Sequence, residues 1–141
     1  MVQLIVGKKG KGKTKQLLDK ANTEIKEAIG NFVYLDKNTK HMYELNNKIR
    51  LIDVSAFPLK NSDEFVGFIC GVISRDHDIE KMFLDSFLRI AHLEENPAAL
   101  TDCVRQLKQI SEQFRLDFIM SVSMDKEDLD TELHDDVLIA L

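Results

Sequence analysis

Residues 4–18 read "LIVGKKGKGKTKQLL", an apolar run that breaks into a basic turn. Five lysines, Lys8, Lys9, Lys11, Lys13 and Lys15, fall within eight residues, with Gly7, Gly10 and Gly12 threaded around them. Like charges this close repel, and each glycine loses extra backbone freedom on folding. Such a segment makes most sense around something strongly negative. Residues 7–14 fit G-x-x-x-x-G-K-[ST] at every fixed position. In that pattern the glycines let backbone N–H groups turn inward around phosphates. A helix beginning near Lys13 aims its own unpaired N–H groups and positive dipole end at the same point. Lys13 is expected to reach the β- and γ-phosphates of a bound triphosphate, and the Thr14 hydroxyl to ligate Mg²⁺. The pattern does not require Lys8, Lys9, Lys11 or Lys15. These are expected to be mostly solvated, with room for one to touch phosphate.

Outward from the loop, strands and helices alternate. "VQLIV" (2–6) reads as a buried strand, and a helix is expected from Lys13 to Ile29 with Leu17, Leu18, Ala21, Ile25, Ala28 and Ile29 on one face. Gly30 is its expected stop. "NFVYLD" (31–36), "KIRLIDV" (48–54), "KMFLD" (81–85), "DFIMSVS" (117–123) and "DVLIAL" (136–141) supply five further strands. Asn61 or Ser62 caps a helix through Ser74 that is apolar nearly all round and is expected to be largely buried. Gly67 and Gly71, one turn apart on it, suggest close packing on a sheet. Asn96 and Pro97 open a helix to Arg115 with Leu100, Val104, Leu107, Ile110 and Phe114 inward. A short acidic helix precedes the last strand. The expected fold is α/β, a three-layer sandwich on a mostly parallel sheet, with ligands beyond the carboxyl ends of the strands.

The bulk composition agrees. The 141 residues suggest a single domain over 1–141 with a real core, and 44% hydrophobic with 30% charged residues describes a globular chain. A net charge of −5 argues against a broad nucleic-acid-binding face. Cys70 and Cys103 both fall in apolar helical patterns, and buried free thiols in a reducing cytoplasm are expected. "MVQLIVG" lacks a basic leader region and its apolar run is too short for a signal peptide. No window approaches the ~20 apolar residues of a membrane span. No repeat, low-complexity tract or linker is evident.

A Mg²⁺-nucleotide site usually adds an acidic residue at the end of a neighbouring apolar strand. Asp85, ending "KMFLD", is the candidate, with Asp53 in "RLIDV" its rival. With these residues in place the chain resembles the RecA-type members of the P-loop NTPases. In "MFLDSFLRI", Asp85 followed by Ser86 resembles the apolar-Asp-Ser form of their metal-binding strand. "LKQISEQFRLDFIMSVS" is similar to their next unit, a helix feeding a strand that ends in a polar residue near the γ-phosphate. By that resemblance Ser123, or in second place Ser121, takes the sensing position. The order of elements resembles that of the RecA-type proteins over nearly the whole chain, and small stand-alone bacterial ATP-binding proteins look similar.

The sequence also departs from that family. RecA-type ATPases carry a catalytic Glu after the second strand, where this chain reads Asp36-Lys37-Asn38-Thr39. Related ATPases carry Glu directly after the metal-binding Asp, where this chain has Ser86. Asp36 is left open as either a water-polarising group or a turn residue. Hydrolysis is therefore expected to be slow, or to need a partner that completes the site. No segment has room for an extended DNA-binding loop pair.

Further constellations carry less. "MDKEDL" (124–129) departs from the guanine-specific N-K-x-D by placing Asp125 where Asn is needed, so a GTP-binding protein stands as an alternative only. "RDHDIE" (75–80) reads as a polar turn rather than a metal site, and His41, His77, His92 and His134 have no ligand spacing. Neither cysteine has a nearby histidine to activate it. Arg50, Arg75, Arg89, Arg105 and Arg115 read as surface ion-pairing groups, with Arg89 or Arg75 best placed to act across a subunit interface. The sequence therefore suggests a cytoplasmic Mg-ATP-binding protein, a weak ATPase or nucleotide-dependent switch that acts with a protein partner and leaves an oligomer open. The region after Asp36, or that around Ser123, would be the switch. Two further readings stay open. One is a nucleoside-type kinase, related in core to type II thymidine kinases but lacking their zinc cysteines, and the second is a non-catalytic interaction module.

Overall fold

The chain alternates strand and helix because short apolar runs alternate with segments whose apolar residues recur at the helical period. A computed structural model describes residues Met1–Leu141 throughout. The strands are β1 (Val2–Val6), β2 (Asn31–Asp36), β3 (Arg50–Asp53), β4 (Ile79–Leu84), β5 (Asp117–Val122) and β6 (Val137–Ala140). They form one sheet in the order β3-β2-β4-β5-β1-β6, and every neighbouring pair is parallel. The helices are α1 (Lys13–Glu24), α2 (Ser62–Arg75), α3 (Phe87–Ile90) and α4 (Leu100–Phe114). The fold is thus α/β, with a six-stranded parallel sheet between helical layers, as the alternation predicts. No helix is long and apolar enough to cross a membrane.

Strand periodicity separates the two faces. Val2, Leu4 and Val6 of β1, Val33 and Leu35 of β2, Met82 and Leu84 of β4, and Phe118, Met120 and Val122 of β5 bury against α2 and α4. The intervening Ile5, Phe32, Tyr34, Phe83 and Ile119 form a smaller core under α1 and residues Leu45 and Ile49. The central strands are covered on both sides, so their sequences read as continuous apolar runs.

Several helical expectations change in detail. α1 ends at Glu24 and tightens into a 3₁₀ turn over Ile25–Glu27, leaving Ile29 99% exposed rather than inward. The cause lies at the next residue. A Cβ on Gly30 would come within 2.4 Å of the Asp78 carbonyl oxygen, and the Asn31 amide donates to that same oxygen at 2.8 Å. The backbone must already lie against the start of β4 there, so the helix cannot run on to Ile29. On α4, Phe114 is 42% exposed, and the buried stripe is completed by Cys103 and Ser111. The acidic segment forms two 3₁₀ stretches, Lys126–Asp128 and Thr131–Asp136.

α2 starts where the capping residues predict. The Asn61 side chain accepts from the Glu64 amide at 2.9 Å, and the Glu64 carboxylate accepts from the Lys60 amide at 2.6 Å. The helix is not buried all round, however. Phe65, Ile69 and Ile73 are buried, Val66, Phe68 and Val72 are half-buried, and Gly67, Cys70 and Gly71 face outward. α2 lies toward the β3 edge of the sheet, so a single face meets the core. Cys70 is accordingly exposed, contrary to expectation, whereas Cys103 is buried. Burial, reinforced by nearby Asp102 and Asp63, pushes the Cys103 thiol up to about 12.

The glycine pair does not mediate close packing either, because a Cβ added at Gly67 or Gly71 meets nothing within 4 Å. Glycine inside a helix is less stable than alanine by roughly 0.8–1.0 kcal/mol, so Gly67→Ala and Gly71→Ala are each expected to stabilise the fold by about that amount. Denaturant midpoints at unchanged slope measure it.

Candidate functional site

Because all six strands run the same way, their carboxyl ends share one edge of the sheet, and the loops after β1, β2, β4 and β5 meet there. Gly7 leaves β1 with its amide donating to the Met124 carbonyl at 2.8 Å. A Cβ at Gly7 would come within 3.0 Å of the Leu141 carbonyl oxygen. Gly10 and Gly12 take φ values of 85° and 90°, which other residues rarely adopt. Gly12 caps α1 with no side-chain acceptor, and the first turn of α1 carries no acidic residue. The N–H groups of that turn therefore have no anionic partner from the turn itself.

Lys13 folds back over the loop, its Nζ donating to the Lys8 carbonyl at 3.0 Å, and the residue is 8% exposed. Burial lowers its pKa from the ordinary lysine value. The nearby Asp85 carboxylate opposes that shift, and Lys9 adds to it. One residue along, the Thr14 hydroxyl donates to Asp85 Oδ1 at 3.1 Å. Asp85 follows β4, held by its own amide donating to the Leu35 carbonyl at 2.9 Å.

Asp85 is 2% exposed and saturated with donors. Its Oδ1 also accepts from the Ser121 hydroxyl at 2.7 Å and the Ser86 amide at 2.9 Å, and its Oδ2 accepts from the Tyr34 hydroxyl at 2.8 Å. The Ser86 amide reaches Ser121 Oγ as well, at 2.8 Å, with Ser86 at φ 54°. Tyr34 stays a donor, since burial and then the Asp85 charge raise its pKa. The neighbouring strand β2 ends in Asp36, also 2% exposed. Asp36 Oδ1 accepts from the Lys37 amide at 2.7 Å, while Oδ2 is buried with no partner. Burial first, then repulsion from Asp85, push its pKa up to about 6. The Lys37 amide, His41 and the Lys37 charge pull the other way.

The loop, Asp85, Ser86 and Ser121 border a cavity of about 590 Å³, which Tyr34 and Asp36 do not line. Lys9, Gly10, Gly12, Lys13 and Thr14 form one wall, Asp85, Ser86, Ser121 and Ser123 another, and Lys37, Leu88, Arg89 and Glu94 close it. Most of the residues singled out in the sequence thus converge. Lys11 and Gly7 do not line the cavity. Lys8 pairs with Asp125 at 3.4 Å and Lys15 with Asp19 at 3.1 Å, and neither lines it. Asp53, at the sheet edge, instead accepts from the Ser55 amide and hydroxyl at 3.0 and 2.6 Å. Ser123 borders the cavity, whereas Ser121 also joins the hydrogen bonds around Asp85. Arg89 lines this chain's own cavity, and Arg75 lies elsewhere.

Glu94 had no signal in the sequence, and Lys37 was marked only as part of the segment after Asp36; both sit on loops brought in by the fold. Tyr34 did carry one, because a phenol within an apolar strand needs a hydrogen-bond partner. The chain matches no protein-family model, and no curated protein matches it.

Proposed function

We propose that the chain binds Mg-ATP in this cavity through a RecA-like P-loop and turns it over slowly, as a weak ATPase or nucleotide-dependent switch. The observation that carries the reading is the Thr14–Asp85 pair. Its oxygens lie 3.1 Å apart. Two adjacent ligands of an octahedral Mg²⁺ stand about 2.9 Å apart, given bond lengths of about 2.0–2.1 Å. The donor set therefore fits that metal, Thr14 directly and Asp85 directly or through water. The first-turn amides of α1 and the Lys13 ammonium fit a polyphosphate. Strand order supports the same reading, since β5 lies between β1 and β4 and sets Ser121 and Ser123 between the loop and Asp85.

In this reading Lys13 exchanges the Lys8 carbonyl for phosphate oxygen, and Thr14 turns its hydroxyl from Asp85 to the metal. Bound magnesium would supply charge neutralisation of the phosphate oxygens. Asp36 keeps an unpaired oxygen, but that oxygen is buried, so it takes a proton from water only if the site opens around it. Asp36 does not line the cavity, and no longer carboxylate stands in its place, so turnover is slow. Thr14→Val, which removes the hydroxyl at nearly constant shape, is expected to lose the magnesium-dependent part of ATP affinity, while Thr14→Ser keeps it. Titration calorimetry with and without EDTA reads the difference. An equal magnesium effect in wild type and Thr14→Val would refute the metal assignment.

One observation favours a second reading, transfer of phosphate to a small acceptor. A further cavity of about 560 Å³ adjoins the first and shares Lys37, Arg89 and Glu94 with it. Phosphate release compared with phosphorylated product, with and without nucleosides, separates hydrolysis from transfer.

A further inference from the structure

A second site lies away from the nucleotide cavity, between α2 and the β3 edge of the sheet. It is a groove of about 440 Å³, walled mainly by Val33, Ile52, Phe57, Phe68, Val72 and Ile79. We propose that this groove binds a small amphipathic anion, an aliphatic or aromatic body ending in a carboxylate or similar group, with Arg50 and Arg75 receiving the charge.

Three features of the groove carry the assignment. Arg50 and Arg75 both line the groove, both are exposed, and neither makes an ion pair within the chain. Arg75 also stands in the last turn of α2, where a cation suits the helix dipole, but Arg50 has no such role. The one acidic residue in the lining, Asp76, keeps its charge and leaves the lining net positive by one. Its two oxygens accept from the Asn31 side chain and the Asp78 amide, each at 2.9 Å. The groove therefore offers two uncommitted guanidiniums beside an apolar wall, which is complementary to an amphipathic anion.

The second feature is Gly71. It lines the groove from the interior of α2, where alanine would be more stable and where an added Cβ meets open space. Nothing in the packing of the chain requires glycine there. Its effect is to keep the groove open. The third is scale. The volume falls within the range of small-molecule sites. Of the exposed large apolar side chains, Phe57 alone borders the groove, so there is no wide apolar rim for a protein partner.

Decanoate, held below its micelle concentration, is the probe, with decanol and decylamine as neutral and cationic counterparts. Titration calorimetry on the full chain is expected to show saturable one-to-one binding of decanoate, with decanol at least tenfold weaker and decylamine weaker still. Arg50→Gln with Arg75→Gln should weaken decanoate at least tenfold and bring it level with decanol. Gly71→Leu should abolish binding by filling the groove. Gly71→Ala should weaken binding while raising the melting temperature, which keeps the test sound if the leucine variant does not fold. Lys13→Ala should leave decanoate binding unchanged, and that result is independent of whether the chain binds ATP. The proposal fails if decanoate does not saturate, if decanol binds as well, if Gly71→Ala binds at full strength, or if Lys13→Ala removes the binding. It fails equally if only an acidic amphipathic peptide binds.

Discussion

If the chain binds Mg-ATP as proposed, Lys13→Ala is expected to remove nearly all of the stabilisation that the nucleotide gives the wild-type protein. Free nucleotide at a hundred times its dissociation constant stabilises a folded protein by ~2.7 kcal/mol. For a chain of this length that is roughly 5–11 °C in melting temperature. Lys13 is the one buried lysine of the loop, and its ammonium turns onto the loop, bonded to the Lys8 carbonyl and attracted by Asp85. Losing a charge-assisted contact from such a site leaves phosphate charge without its nearest cation, for which a hundredfold loss of affinity is a fair scale, about 2.7 kcal/mol. At the same nucleotide concentration the remaining stabilisation is only ~0.4 kcal/mol. His77→Ala, an exposed change on the turn before β4, should keep the full shift. A thermal shift that survives Lys13→Ala would move the nucleotide away from this loop. The contrast with Lys15→Ala is also informative, because Lys15 already pairs with Asp19 on the outer face of α1 and should matter little.

The second large effect concerns Asp36 and runs through pH. Its carboxyl is raised from 3.8 to about 6 in the folded chain, chiefly by burial and then by Asp85. Between those values the native state holds a proton that the unfolded chain has released. Stability from this group is therefore greatest below about pH 4 and declines as pH rises through about 6. The full decline corresponds to about 3 kcal/mol. Asp36→Asn keeps an oxygen for the Lys37 amide and removes the buried charge. Allowing for the desolvated amide, it is expected to be about 2 kcal/mol more stable than wild type at about pH 8, with little or no gain at about pH 4. Urea unfolding of both proteins across that range isolates the residue, since other titrating groups cancel in the difference. Equal stability at the alkaline end would mean that Asp36 is not a strained buried charge. If Asp36 also accepts the proton from water, the stabler variant should release phosphate more slowly, and the two measurements together would make the strain part of the chemistry.

Much of this molecule was legible residue by residue. The six strands fell where apolar runs predicted them, and β2 matched "NFVYLD" end to end. The loop was legible because its spacing is fixed by covalent geometry. Glycines at 7, 10 and 12 permit positive φ, and Lys13 with Thr14 must then occupy the first turn of the following helix. The choice between Asp85 and Asp53 was less secure, since both end apolar strands. Strand order gives the two different surroundings. β3 lies at the sheet edge, where Asp53 turns back on Ser55, whereas β4 lies inside and delivers Asp85 to Thr14. The serines show the same dependence. The strand pattern marked Ser121 and Ser123 alike, but Ser121 lies within β5, beside the end of β4, and bonds to Asp85, whereas Ser123 lies just past the strand.

The helix α2 shows where reading a single segment failed. Its apolar residues run nearly all round, which in isolation implies full burial, and its glycines imply close contact. Both inferences presume a neighbour on every side, and the neighbours of α2 depend on where the sheet ends.

By itself, then, the sequence determined the alternation of strands and helices, the turn over residues 7–14, and the chemical kind of groups that could gather beyond β1. Those depend on contacts between residues close along the chain. Only the tertiary structure decided that Tyr34, Asp36, Lys37, Asp85 and Ser121 share one neighbourhood, that Ile29 and Cys70 face outward, and that a groove stays open beside Gly71. Each of these depends on which strands lie side by side, and that order is set by the packing of the whole core rather than by any local stretch.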